Sequence, residues 1–166
     1  MKTFFAFIGL MITSAGAFAS SYEKLDGSEE GQGSQQGMRK ILFVDDSYMN
    51  RRIIPKLLTK SLKKIGLEDY YAVETASDGQ KAVNMAEKTS YTLIIMDMQM
   101  PNMDGAEATI EIKKSNPDAV VIRFSTLTED EFLEFVPEEV RGTILDLFSD
   151  VLPKPALESD IRNVLK

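Results

Sequence analysis

From Arg39 onward, short apolar runs alternate with stretches in which apolar residues return every three or four positions. Lys40–Val44, about Tyr70–Thr75, Thr92–Met96 and Ala119–Phe124 have the length and continuity of strands buried in a parallel sheet. A stub at Val151-Leu152 ends the series. Between the runs the period becomes helical. Tyr48 to Ile65 places Ile53, Ile54, Leu57, Leu58, Leu62 and Ile65 on one face, with Ser47 as a cap, Gly66 as a stop and Pro55 as a kink or first-turn marker. Asp78-Gly79 opens a helix to about Lys88, with Ala82, Val83 and Ala86 inward. A third helix spans Ala106–Lys114, and a last one spans Leu157–Lys166 with Leu157, Ile161, Val164 and Leu165 inward. Strand and helix in alternation predict an α/β fold on a parallel sheet.

Two stretches break the rhythm. Residues 127–149 read as an extended helical region, Glu129 to Val136, broken at Pro137, with a second helical piece from Glu138 to Phe148. The N-terminus has a different composition. Lys2, the apolar run Phe4 to Ile12 and the small residues up to Ala19 read as a signal-peptide-like targeting segment over 1–19. Residues 20–38 are rich in Gly, Ser, Gln and Glu and read as a disordered linker. That leaves 39–166 as the folded domain.

The apolar runs end on chemistry. Leu93-Ile94-Ile95-Met96 delivers Asp97, and Ile41-Leu42-Phe43-Val44 delivers Asp45-Asp46. Ligands in open α/β sheets bind at the carboxyl ends of strands, and two strands that both deliver carboxylates there can bring three acids together. Clustered acids repel, and a hard cation such as Mg²⁺ with oxygen ligands suits them. Lys154, between Pro153 and Pro155, supplies a point charge at the end of the last strand. Ser125 and Thr126 place hydroxyls at the end of the fourth.

Val44-Asp45-Asp46-Ser47, the stretch Met96 to Gly105, Ser125 and Leu152-Pro153-Lys154-Pro155 together resemble the receiver domain of two-component response regulators, over roughly Arg39 to Lys166. The resemblance implies a flavodoxin-like, doubly wound five-stranded parallel sheet, order 2-1-3-4-5, with helices on both faces. It implies Asp97 as phosphoacceptor, and Mg²⁺ held by Asp46, Asp97 and the Gln99 backbone carbonyl, with Asp45 acting through a water. Lys154 would hold a phosphoryl oxygen, and the Ser125 hydroxyl would move toward the phosphoryl group. The implied donor is a phosphohistidine on a histidine kinase or histidine phosphotransfer protein, and the output is contact with a downstream protein. The sequence departs from the pattern in the long 127–149 region and in Val151, which stands where receivers often carry a switching aromatic; Phe148 is a substitute.

Composition narrows the field. The chain has no Cys and no His, which excludes disulfides, thiolate metal sites, His-based triads and a phosphodonor histidine of its own. A net charge of −7 argues against nucleic acid as a partner. A hydrolase of the haloacid-dehalogenase type wants a second Asp two positions after the nucleophile, and position 99 is Gln. A phosphorylation-independent binding module with the same fold is the alternative. A stand-alone signalling domain, with the chain ending after its last helix, is the leading expectation. Its donors are intracellular or organellar, whereas the first 19 residues point to secretory-pathway or plastid targeting.

Overall fold

A computed structural model describes residues 38–165; the expectations for 1–19, for 20–37 and for Lys166 lie outside them. The sheet contains β1 (Arg39–Val44), β2 (Tyr71–Ala76), β3 (Leu93–Asp97), β4 (Val121–Ser125) and β5 (Asp150–Pro153). All pairings are parallel and the order is β2-β1-β3-β4-β5, the doubly wound arrangement expected. The helices are α1 (Tyr48–Lys64), α2 (Gly79–Lys88), α3 (Gly105–Ser115), α4 (Glu129–Phe135), a single turn α5 (Arg141–Ile144) and α6 (Glu158–Val164).

The central strand β3 is buried at every position, because helices cover both faces. On one face Leu42, Val44, Ile94, Met96 and Val121 pack against α2, α3 and α4. On the other, Ile41, Phe43, Ile95 and Phe124 meet Ile54, Leu58 and Leu62 of α1 and Ile161 of α6. Each such Leu, Ile or Phe stabilises the fold by roughly 1.5–3 kcal/mol on burial. At the rim, Glu158 of α6 joins Lys60 (2.8 Å) and Lys64 of α1, and the two lysines hold its carboxyl down at a pKa of about 2.

Helix ends follow local chemistry. Ser47 caps α1 by accepting from the Asn50 N–H, and Asp78 caps α2 by accepting from Lys81. Asp104 is the N-cap of α3 and exchanges bonds with Glu107 in a capping box. Gly66, at φ 72°, closes α1 by donating to the Lys63 carbonyl while Leu67 donates to that of Leu62. Pro55 sits inside α1 rather than in its first turn.

Several sequence expectations are corrected. Ile53 and Ile65 of the first helix are exposed, because Ile54, Leu58 and Leu62 fill the stripe that meets the sheet. Leu157 is the exposed N-cap of α6, its N–H donating to Asp160, so Ile161 and Leu165 alone are fully buried there. The second helical piece does not form as one helix. After Pro137 the chain makes a 3-10 turn (Glu138–Val140), the turn α5 and another 3-10 turn (Leu145–Leu147). Pro137 lacks a donor, Gly142 and Thr143 are weak helix formers, and only Ile144 of α5 is buried.

Candidate functional site

The site forms where β1, β3, β4 and β5 stop. β1 hands over to Asp45, which is fully buried, and then to the exposed Asp46. β3 ends on Asp97, only 2% exposed, and β4 on Ser125, 5% exposed. Lys154 follows β5, and its peptide bond to Pro155 is cis. The Lys154 N–H donates to the Ser125 carbonyl (3.0 Å), which fixes the start of its side chain against β4.

From there the ammonium reaches across the sheet end. Lys154 Nζ lies 2.6 Å from Asp97 Oδ1 and 3.1 Å from Asp45 Oδ2, and 4.6 Å from the centre of the Phe124 ring. Asp45 is held further by the Ser47 N–H (2.8 Å to Oδ1) and by the Asn50 side-chain amide (3.1 and 3.0 Å to its two oxygens). Arg51 Nη1 donates to the carbonyls of Asp45 and Asp46, 2.7 Å each, and pins the loop. The Asp97 carboxylate also accepts from the Gln99 N–H at 3.1 Å. Burial pushes the Asp97 carboxyl above the usual carboxylate range, with the Asp45 charge adding to it; the Lys154 ammonium and the Gln99 N–H pull the other way.

Asp45, Asp46 and Asp97 each offer a carboxylate oxygen, and these oxygens lie within 4.8 Å of one another. An all-oxygen, partly buried donor set with one exposed member fits a hard divalent cation. Lys154 alone does not neutralise three carboxylates. The site therefore brings together every acid expected at it, together with Lys154, and keeps Ser125 at the neighbouring strand end. The Ser125 Oγ accepts from the Leu127 N–H (3.0 Å), so the hydroxyl is tied to the β4–α4 loop. Gln99 lies two residues beyond Asp97 in the loop to α3. That loop contains Asn102 at φ 70° and returns tightly enough that a Cβ at Gly105 would collide with the Asp97 carbonyl oxygen.

Sequence reasoning missed Asn50 and Arg51. Their signal was position: both lie in the first turn of the helix opened by Ser47, where side chains reach back over the strand end that precedes it. Met96, Met98 and Met100 are core residues. Val151 is 36% exposed at the position of the usual aromatic, while Phe148 packs edge-on to Phe132 with ring centres 5.9 Å apart.

Comparison with known proteins agrees with this geometry. Over 97 residues the chain is 39% identical to hybrid signal transduction histidine kinase B of Dictyostelium discoideum, a match covering 57% of this chain and 4% of that protein. It is 38% identical over 92 residues to the response regulator protein VraR of Staphylococcus epidermidis, covering 55% and 41%. The chain thus spans well under two thirds of these curated relatives. Among solved structures, the chemotaxis protein CheY4 of Vibrio cholerae superposes with a TM-score of 0.57 at 27% identity, covering 78% of this chain and 97% of that one. The receiver domain of the sensor histidine kinase PA1611 of Pseudomonas aeruginosa does so at 0.57 and 26%, covering 78% and 95%; that structure holds a magnesium ion in its active site cleft. The family model described as the response regulator receiver domain matches residues 41–166. With strand order, acidic strand ends and sequence in agreement, the chain belongs to the response regulator receiver family.

Proposed function

We propose that Asp97 accepts a phosphoryl group from a phosphohistidine and that the resulting aspartyl phosphate alters contacts with a downstream protein. The observation that carries this reading is the buried Asp97 carboxylate 2.6 Å from Lys154 and within reach of two further acids. In the transfer, an Asp97 oxygen forms the new O–P bond while the N–P bond of the donor breaks, and the electron pair stays on the imidazole nitrogen. The Lys154 and Gln99 contacts both fall on Oδ1, so Oδ2 is the oxygen assigned to attack. When bound, Mg²⁺ supplies the positive charge that lets an anionic carboxylate meet an anionic phosphoryl group. Asp46, Asp97 and the Gln99 backbone carbonyl are the residues that would hold it, with Asp45 acting through a water.

The protein's own groups do the rest. Asn50, Ser47 and Lys154 hold Asp45 in place. Lys154, already aimed at Asp97, is positioned to take a phosphoryl oxygen as charge develops. Ser125 exchanges its bond from Leu127 for one to the phosphoryl group, which pulls on the β4–α4 loop. No general base is needed, because the carboxylate attacks ionised. The donor is a histidine kinase or a histidine phosphotransfer protein, and the reading places the domain where such donors work, inside a cell or organelle.

The alternative is a phosphorylation-independent binding module, favoured by Val151 in place of the aromatic and by the broken helix after Pro137. Phosphoramidate carries the same P–N bond as phosphohistidine and separates the two. With Mg²⁺, the phosphoacceptor gives a hydroxylamine-labile acyl phosphate signal in ³¹P NMR. A folded protein that binds Mg²⁺ and gives no such signal favours the binding module.

A further inference from the structure

We infer that the groove between the β3–α3 loop and α4 is a docking site for a basic amphipathic segment of a protein partner. This rests on the reading that the domain signals by contact, and it specifies the partner's chemistry. The groove has a volume of about 220 Å³, and its walls include Met98, Met100, Leu127, Phe132, Phe135 and Val136, with Gln99 and Asp104 also lining it. Phe135, 69% exposed at the end of α4, carries the apolar lining of the groove out to the surface. Met98 and Met100 are core residues only 4% and 8% exposed, so they form the floor of the groove, where flexible thioethers can adapt to an apolar side chain.

Charge identifies the occupant. Glu129, Asp130, Glu131, Glu134, Glu138 and Glu139 are all exposed along α4 and the turn after it. The nearest base in sequence, Arg141, donates to the carbonyls of Val136 (2.8 Å) and Glu134 (3.4 Å), and its single charge leaves the stretch strongly acidic. An apolar groove inside a field of carboxylates attracts Lys and Arg around an apolar anchor, the pattern of a basic amphipathic helix. The same field repels nucleic acid and anionic lipid. The groove also adjoins the phosphorylation site, since Met98 and Gln99 directly follow Asp97 and Leu127 donates to Ser125.

The test uses the full chain with ¹³C-labelled methionine methyls. The probe is an 18-residue peptide of Leu and Lys at helical spacing, with a scrambled peptide of the same composition as control. Met98 and Met100 are expected to shift on titration while Met49, exposed on α1, stays in place. Phe135→Ala, a surface change outside the core, is expected to weaken binding at least about tenfold. Equal binding of the scrambled peptide, equal affinity of the variant, or equal shifts at Met49 overturns the site. Intact mass after treatment with acetyl phosphate is read on the same samples. Phosphorylated protein without groove binding overturns the docking site alone. Groove binding without phosphorylation overturns the phosphoacceptor and leaves the docking site standing.

Discussion

Arg123→Met is expected to stabilise the protein. Arg123 occupies the middle of β4, between Met96 of β3 and Val151 of β5, and is 2% exposed. Its Nε and Nη1 have no hydrogen-bond partner. Burial lowers the pKa of the guanidinium, and the Glu129 charge opposes that without closing to an ion pair. Each buried donor left unpaired costs about 1–3 kcal/mol. The guanidinium lies 4.6 Å from the Phe132 ring centre, a contact that returns about 2 kcal/mol when desolvated. Methionine is unbranched, fills much of the same slot, and regains roughly 0.3–1.5 kcal/mol from sulfur against the ring. The balance favours the variant by about 1–3 kcal/mol, in line with replacement of buried charges by apolar residues. At about 4 °C per kcal/mol for a domain of this size, Tm should rise by roughly 4–12 °C. The assay is urea and thermal unfolding, with an unchanged m-value showing that only the native state is affected. A loss of stability would refute the reasoning and mean that the guanidinium has a partner in solution. Glu129→Gln combined with Arg123→Met would then test whether that partner is Glu129, through non-additivity.

Other expectations follow from the site. Lys154→Ala removes the cation between Asp45 and Asp97; phosphorylation should fall at least about tenfold with the loss of a preorganised charge, while Mg²⁺ affinity measured by calorimetry should rise, because a competing positive charge has gone. Gly105→Ala drives a Cβ into the Asp97 carbonyl and should cost about 3 kcal/mol or more in denaturant unfolding. Asp97 has a folded pKa above its ordinary 3.8, so in EDTA the native state binds more protons than the unfolded chain between those values, and stability falls as pH rises through that window. Asp97→Asn should therefore be more stable than wild type at neutral pH, with the advantage disappearing below about pH 4; an advantage independent of pH would contradict the burial argument.

Much of the fold was legible because both periods are written plainly. Every strand was found to within two residues, since β1, β3 and β4 are near-continuous apolar runs bounded by turn residues. The site was legible because strand ends carry the chemistry: Asp45, Asp46, Asp97, Ser125 and Lys154 each stand at the end of a run. The misses have physical causes. Ile53, Ile65 and Leu157 fit a helical period, but a helix packed on a sheet buries a narrow stripe and leaves its flanks in water. The segment after Pro137 has helical composition without a face that can be buried in register, so it breaks into single turns. Arg123 interrupts a run that reads as buried on both faces, so its burial follows from the pattern; that its Nε and Nη1 go without a partner is visible only in the structure. Asn50 and Arg51 look like ordinary helix-surface residues until the helix start is placed over Asp45.

The most direct test of the account is intact mass of the full chain after incubation with acetyl phosphate and Mg²⁺, beside Asp97→Asn and a sample in EDTA. The account predicts a gain of one phosphoryl group in wild type only, and none in the variant or without the metal. A phosphoryl group retained by Asp97→Asn would place the acceptor elsewhere, and no gain by a folded, Mg²⁺-bound wild type would contradict the phosphoacceptor role itself.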